Sequence, residues 1–505
     1  MTCSDFEGFI DIFDGGRIYG WAKRGSDGPV TVEILVDEKV VETLVASNYR
    51  EDLETSRGGS GKHAFASNDL SFLFQDDKTH ALDVRLKGSE RRLVNGPIFV
   101  RDHKSISLKC FAPWTNLSVN YKGGAHVCPC PSLLKQPNHY VGDTNDSTLL
   151  EIWNAPAVLH YREAFIRADY SAVCREDVCP YLLGSQLPER PPTNVVLSII
   201  GEDHLLDYSP EILTHDIDLG CNLECVMCRN KKVTVNKSNV KDSTKQIDTM
   251  AKAGGLRKII TSGAGEALLF TEFVALLATR TLSDRDIEVH INSNLTTFNE
   301  KMWDRIKHNK LSFNASVDGS TKETFEKIRK GARWSDVYKG LELIAKKYND
   351  GELKKLYVSY IIMGANKYDV GGMIDLCQEL SVPLTFTAQY GISTLEENIF
   401  DCCNLEELDI VYEQIVEAGG FELPNVHLGS AETLKNRAYR GIDFRLEKAR
   451  YQTTNWSRYD LAERILRQAV EDVWRGRVEC EAGKEAELLT ALSDAVARRP
   501  ARALL

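Results

Sequence analysis

The chain has 505 residues, too many for one hydrophobic core, and length alone leads us to expect about three domains. With 43% hydrophobic and 27% charged residues and ordinary glycine and proline content, the composition excludes a disordered or fibrous chain. The net charge of −11, from 73 acidic against 62 basic residues, counts against a general nucleic-acid binder. The opening MTCSDFEGFIDIFDGG lacks the basic-then-apolar pattern of a secretory signal. No segment offers the ~18 uninterrupted apolar residues of a membrane span. A cytoplasmic location is therefore expected, where the 13 cysteines are reduced thiols or metal ligands instead of a disulfide framework.

In chain order, residues 1–103 read as an all-β unit. Alternating runs such as VTVEILVDEKVVETLVA and HALDVRL, separated by glycine, serine and aspartate turns, predict a small β-sandwich. Residues 104–190 change character: five cysteines, two tryptophans and several prolines with little periodicity suit a small domain stapled by metal. Residues 205–400 alternate strand and helix, which calls for a parallel sheet with right-handed crossovers. Strands are expected at 211–219, 257–262, 287–293, 311–318, 356–363 and 382–389, with an amphipathic helix over 335–348 carrying Val337, Leu341, Ile344 and Tyr348 on one face. Six such units predict an α/β fold with an open, partial (β/α)6 barrel. Residues 401–505 read as a helical extension.

Cys221, Cys225 and Cys228 in CNLECVMC directly follow the first of these strands, so three thiolates can converge from one loop at the end of the barrel where function is placed. A four-iron cluster normally takes four thiolates, so three leave one iron open to a small molecule. A zinc site or a group of buried thiols is the alternative. On the fourth strand, LSFNASVDG alternates polar Asn314, Ser316 and Asp318 with apolar Phe313, Ala315 and Val317, which implies a hydrated or ligand-filled lumen.

The cysteine spacing resembles the radical S-adenosylmethionine (SAM) superfamily. That resemblance implies a [4Fe–4S] cluster whose unique iron is chelated by the methionyl amine and carboxylate, and whose reduced form releases a 5′-deoxyadenosyl radical. Gly265 and Glu266 in SGAGEALL match the family pair that receives the methionyl amine, although Ala264 and Ala267 stand where glycine and proline are common. Ser293 and Asn294 match a polar pair near the cofactor; a helix cap before 299–307 is the other reading of them. Ser316 and Asp318 match a serine and acid that approach the ribose and methionyl groups. In GSTKETFEKIRKGARW, Arg329 would face the methionyl carboxylate. Met227 would lie against adenine, with Ile361 and Ile362 of the fifth strand adding contacts to that ring.

Cys110, Cys128, Cys174 and Cys179 resemble the ligands of an auxiliary iron–sulfur domain known as SPASM or, shortened, Twitch, which implies a second [4Fe–4S] cluster; a four-thiolate zinc site is the alternative. Cys130 is a spare, either a further ligand or a buried thiol. The family usually places this domain after the barrel; here it comes before. Cys3, Cys377, Cys402, Cys403 and Cys480 read as incidental thiols. The phrases GFIDIFDGGRIYGWA, VEILVDEKVVETLVA and GSGKHAF are similar to a β-sandwich module attached to glycosyltransferases, in which Trp21 and Tyr49 would stack on a sugar or serve the core. Together these resemblances imply hydrogen abstraction from a carbohydrate or nucleotide-sugar in polysaccharide biosynthesis, leading to epimerisation, dehydration or oxidation. Modification of a peptide is the second reading and a non-enzymatic metal-stapled protein the third. A small-molecule or peptide substrate and an electron donor such as flavodoxin or ferredoxin are the implied partners.

Overall fold

Alternating apolar residues close the N-terminal strands around one core. The structure, a computed structural model, describes residues 6–25, 28–57, 60–76, 78–101, 104–106, 108–128, 134, 140–176, 179, 181–183, 190–201, 204–229, 231–261, 263–388, 399–456, 459–478, 480 and 483–498. Two compact units are present, residues 1–214 with 253–256, and residues 215–252 with 257–505.

In the first unit, nine antiparallel strands run from Phe6–Asp14 to Lys104–Ile106. They form two layers joined at a corner where Lys23 and Arg24 of Arg17–Arg24 pair with Pro29 and Gly28 of Gly28–Val36. Ile10, Phe13, Ile18, Val32, Ile34, Phe65, Phe74, Leu82 and Val84 fill the space between. Trp21 is buried with Leu53 and Ala64, a core residue and not a sugar platform. Tyr49 is 55% exposed and donates its hydroxyl to Glu54.

The cysteine-rich segment that follows is a short meander, Asn116–Val119, Gly124–His126 and Gly142–Asp143, beside helices Leu149–Trp153 and Pro156–Ile166. It is braced by Arg162, fully buried on the face of Trp153, whose guanidinium donates to the carbonyls of Pro113, Trp153 and His204 and to the Asn154 amide oxygen at 2.6–3.0 Å. No carboxylate pairs with it among the described residues, and burial pulls its pKa down to about 10. Arg190 pairs with Asp83 of the sandwich, so the β-layers and the cysteine-rich segment share one compact unit.

The second unit holds six parallel strands in the order Lys258–Thr261, Glu288–Ser293, Lys310–Ser316, Lys355–Ile362, Leu384–Ala388 and Val426–His427. Val289, Ile291, Phe313, Ala315, Val358, Tyr360 and Phe386 are buried on one face, while Asn292, Asn314, Ser316, Ser359 and Thr385 are half-buried on the other. The helix Trp334–Asn349 buries Val337, Leu341 and Ile344 as its spacing predicts; Tyr348 is half-buried. Two details differ from expectation. The strand ahead of the cysteine loop is Ile212–His215, shorter than 211–219, because the Asp218 carboxylate accepts from the backbone N–H groups of Gly220 and Asn236 and turns the chain. Val426–His427 adds a short strand inside the stretch expected to be wholly helical, where Leu384 and Thr385 offer it an open edge. Beyond it the helices Ile442–Trp456, Tyr459–Trp474 and Lys484–Arg498 pack on a core of Leu446, Ala462, Ile465, Leu466 and Leu488.

Candidate functional site

The loop after Ile212–His215 carries Cys221, Cys225 and Cys228, and each sulfur faces an N–H donor from a different part of the fold. Asn294 Nδ2 donates to Cys221 Sγ at 3.8 Å, Arg329 Nη1 to Cys225 Sγ at 3.9 Å and Arg229 Nε to Cys228 Sγ at 3.4 Å. Cys225 reaches Arg329 because Glu224–Cys225 forms a two-residue antiparallel ribbon with Arg329–Lys330, placing Cys225 opposite Arg329. Donors aimed at sulfur suit thiolates that carry charge, and the three-sulfur set fits a four-iron cluster with one open iron. Among the described residues, no three Cys, His, Asp or Glu side chains converge closely enough to hold a single metal ion.

Glu266 is buried, and its carboxylate accepts from Ser293 Oγ at 2.8 Å, the Asn294 N–H at 2.7 Å and the Leu268 N–H at 3.4 Å. Burial raises its pKa, opposed by those donors. Gly265 is required there by close approach: a Cβ would stand 2.3 Å from the Asp218 carbonyl oxygen and 2.8 Å from that of Gly220. Asn294 ties this group to the cysteine loop, because its amide also donates to Asn222 Oδ1 at 3.1 Å, and Asn222 in turn donates to Thr296 at 2.8 Å.

The structure corrects several expected roles. Asp318 has no exposed surface; one oxygen receives Arg329 Nε and Nη2 at 2.7 and 2.5 Å and the other the Ile361 N–H at 2.8 Å. Its role in the structure is to hold Arg329 and the Ile361 N–H. Two of the three Arg329 nitrogens are therefore committed to Asp318, and the third faces Cys225 instead of a free carboxylate site. Ser293 serves Glu266, and the helix Glu300–Ile306 is capped by Asn299, whose side chain accepts from the Met302 N–H at 3.0 Å, so Ser293 and Asn294 are not its cap. Ile362 is buried on the helix-covered face, leaving Ile361 alone of that pair on the polar side. Ser316 and Met227 are half-buried; the Ser316 hydroxyl has no hydrogen-bonding partner among the described residues. Arg229, Asn222 and Asn366 were not singled out from sequence. Arg229 directly follows the last cysteine of the motif and Asn222 lies inside it, which is the signal available for both. Asn366 is far away in sequence, and its amide donates to the Asp318 and Ile361 carbonyls.

The polar sheet face continues away from the cysteines as a linked row. Asn314 Nδ2 donates to Asn292 Oδ1 at 2.8 Å, Asn292 to the Thr261 carbonyl, and Ser359 Oγ to Asn314 Oδ1. Below it Glu288 lies 3.1 Å from both Lys258 and Lys355, and His290 Nδ1 meets Ser312 Oγ at 2.9 Å. Burial opposes the Glu288 charge, but Lys355 and Lys258 hold its pKa down to about 2.

In the first unit, Cys110, Cys128, Cys174 and Cys179 line one cavity of about 300 Å3 together with Phe111, Tyr161 and Phe165. Burial pushes the Cys110 thiol up to about 11 and the Cys174 thiol up to about 12, so these sulfurs keep their protons at neutral pH until a metal displaces them. Cys3 and Cys130 lie outside the described residues, as does the side chain of Cys402; Cys377 and Cys403 are buried thiols.

Residues 219–378 match the radical SAM superfamily, and residues 110–180 match SPASM, an iron–sulfur cluster-binding domain. No curated protein matches the chain. Among solved structures the chain is similar to "Native anSMEcpe with bound AdoMet and Cp18Cys peptide", at 18% identity over 47% of this chain and 64% of that one, with a TM-score of 0.31. It is also similar to SuiB of Streptococcus suis bound to S-adenosylmethionine, at 14% identity over 52% and 57% of the two chains, with a TM-score of 0.31. The chain thus spans less than two thirds of the length of either. No described helix is long and apolar enough to cross a membrane. The cofactors that go with the two matched domains are a [4Fe–4S] cluster with SAM and an auxiliary cluster. The chain carries a radical SAM domain at 219–378 and, ahead of it, a SPASM iron–sulfur domain at 110–180.

Proposed function

We propose that the chain is a radical enzyme that takes hydrogen from a carbohydrate or nucleotide-sugar, supplied with electrons by a small donor such as flavodoxin or ferredoxin. The observation that carries the enzymatic reading is the pairing of three thiols, each met by its own N–H donor, with a buried carboxylate oriented beside them. With SAM, a reduced four-iron cluster supplies a 5′-deoxyadenosyl radical, the hydrogen-abstracting agent.

The chain's own residues do the positioning. Cys221, Cys225 and Cys228 hold the cluster, and Cys110, Cys128, Cys174 and Cys179 the auxiliary one. Glu266, fixed by Ser293 and Asn294, receives the methionyl ammonium by a charge-assisted hydrogen bond. Ser316 offers its hydroxyl to the ribose, and Gly265 and Met227 shape the cofactor's surroundings. Asp318 acts through Arg329, fixing the guanidinium so that its remaining nitrogen faces Cys225 Sγ. The row of Asn292, Asn314 and Ser359 presents amides and a hydroxyl, groups that pair with the hydroxyls of a sugar and have little to offer an apolar side chain.

The test is 5′-deoxyadenosine formation by anaerobically reconstituted protein with a strong reductant, surveyed over nucleotide-sugars and peptides. Stimulation by a nucleotide-sugar supports the proposal. Stimulation by peptides alone moves the substrate to the second reading, and bound zinc or a complete lack of SAM cleavage sinks the enzymatic one.

A further inference from the structure

Arg229 is the residue at this site whose bonding is most unusual for a half-buried cation. Its three nitrogens each have a different acceptor: Nε the Cys228 sulfur at 3.4 Å, Nη1 the Leu219 carbonyl at 2.6 Å and Nη2 the Ala264 carbonyl at 2.5 Å. No carboxylate pairs with it among the described residues. The other two sulfur donors contrast with it. Asn294 is neutral, and the charge of Arg329 is answered by Asp318. Of the three, Arg229 alone brings uncompensated positive charge to the thiolates.

Its acceptors also matter by position. Leu219 precedes the cysteine loop, Cys228 ends it, and Ala264 opens the turn that carries Gly265 and Glu266. One planar fork therefore spans the strand exit, the last cysteine and the carboxylate turn. The Glu266 N–H donates to the Gly220 carbonyl at 2.9 Å, a second tie between the same two segments.

We infer that Arg229 is a positioning residue that raises the reduction potential of the cluster held by Cys221, Cys225 and Cys228 and holds the Glu266 turn against it. The inference rests on the function proposed above. Adding an electron to a thiolate-bound cluster adds negative charge, and an N–H aimed at sulfur together with a nearby cation stabilises that state. A lysine at this position keeps the charge and loses the fork, since one ammonium cannot reach three divergent acceptors in the plane that a guanidinium spans. Glutamine loses both.

The experiment is an electron paramagnetic resonance redox titration of the full chain, anaerobically reconstituted with iron and sulfide, as parent, Arg229→Lys and Arg229→Gln. Titanium(III) citrate is the reductant, and each sample is read with and without SAM. At the parent midpoint, Arg229→Gln is expected to show a reduced-to-oxidised ratio roughly tenfold lower, equivalent to about 59 mV for one electron. Arg229→Lys keeps most of the parent potential but shows a weakened spectral response to SAM. The auxiliary cluster, bound by other cysteines in the other unit, keeps its potential in all three samples and serves as the internal standard. Unchanged potentials in both variants at parental iron content overturn the inference, and so does failure of both variants to take up the cluster, which assigns Arg229 to assembly. A parent that holds no SAM-responsive cluster overturns instead the function on which the inference rests.

Discussion

Asp318 and Arg329 show how a residue's role is set by what it touches. The pair is buried, and among the described residues neither group forms a second salt bridge with a carboxylate or a basic side chain. Asp318→Asn leaves a buried guanidinium without its counter-charge and is expected to cost about 3–5 kcal/mol, read as a lowered unfolding midpoint in urea. Asp216 is the reverse case, a half-buried carboxylate with no partner for its side chain among the described residues, and burial raises its pKa from 3.8 to about 6. The folded state therefore favours the protonated form, so the stability this group contributes is present below about pH 4 and lost as pH rises through about 6. Asp216→Asn is expected to stabilise the protein by on the order of 2 kcal/mol at pH 7.5 and to have almost no effect at pH 4, measured as paired denaturation midpoints. The three cysteines and Glu266 were legible in sequence because each sits in a short local motif. The Asp318–Arg329 pair was not, because an 11-residue spacing does not show that the guanidinium turns back onto the carboxylate, and its contact with Cys225 depends on a ribbon between positions 104 residues apart.

At the level of elements, alternation on the Lys310–Ser316 strand was informative because a strand has two faces and one of them is covered by helices. The same reasoning overextended the strand before the cysteine loop, where the Asp218 side chain competes with the ladder for backbone N–H groups. Val426–His427 escaped notice because two residues carry no periodicity, and its pairing depends on an edge 42 residues earlier, from Leu384 to Val426. Gly265 is the element-scale test of the site. Gly265→Ala drives a methyl into two carbonyl oxygens that belong to backbone and cannot swing aside. It is expected to separate the Glu266 turn from the cysteine loop, costing roughly 1–3 kcal/mol and abolishing SAM-dependent spectral change while leaving the auxiliary cluster in place. Parental SAM response in a stable Gly265→Ala protein would falsify that placement.

For the whole molecule, two shifts in composition coincide with matched domains: the cysteine-rich stretch with SPASM at 110–180, and the strand–helix repeats with radical SAM at 219–378. What composition did not reveal is that the sandwich and the SPASM domain share one compact unit, a property that depends on tertiary pairs such as Asp83 with Arg190. Replacing Cys110, Cys128, Cys174 and Cys179 by serine is expected to remove the auxiliary cluster and lower the thermal midpoint of the first unit, with SAM response at the barrel cysteines retained; calorimetry with iron analysis checks both. Two separate cysteine sets are expected to hold two clusters of different kind. Iron and sulfide content with electron paramagnetic resonance, comparing the parent with the Cys221/Cys225/Cys228→Ala protein, tests this most directly. Two spectroscopically distinct signals in the parent, with the SAM-responsive one alone lost in the triple variant, is the predicted result; a single signal that vanishes with the triple change, or bound zinc in place of iron, would contradict it.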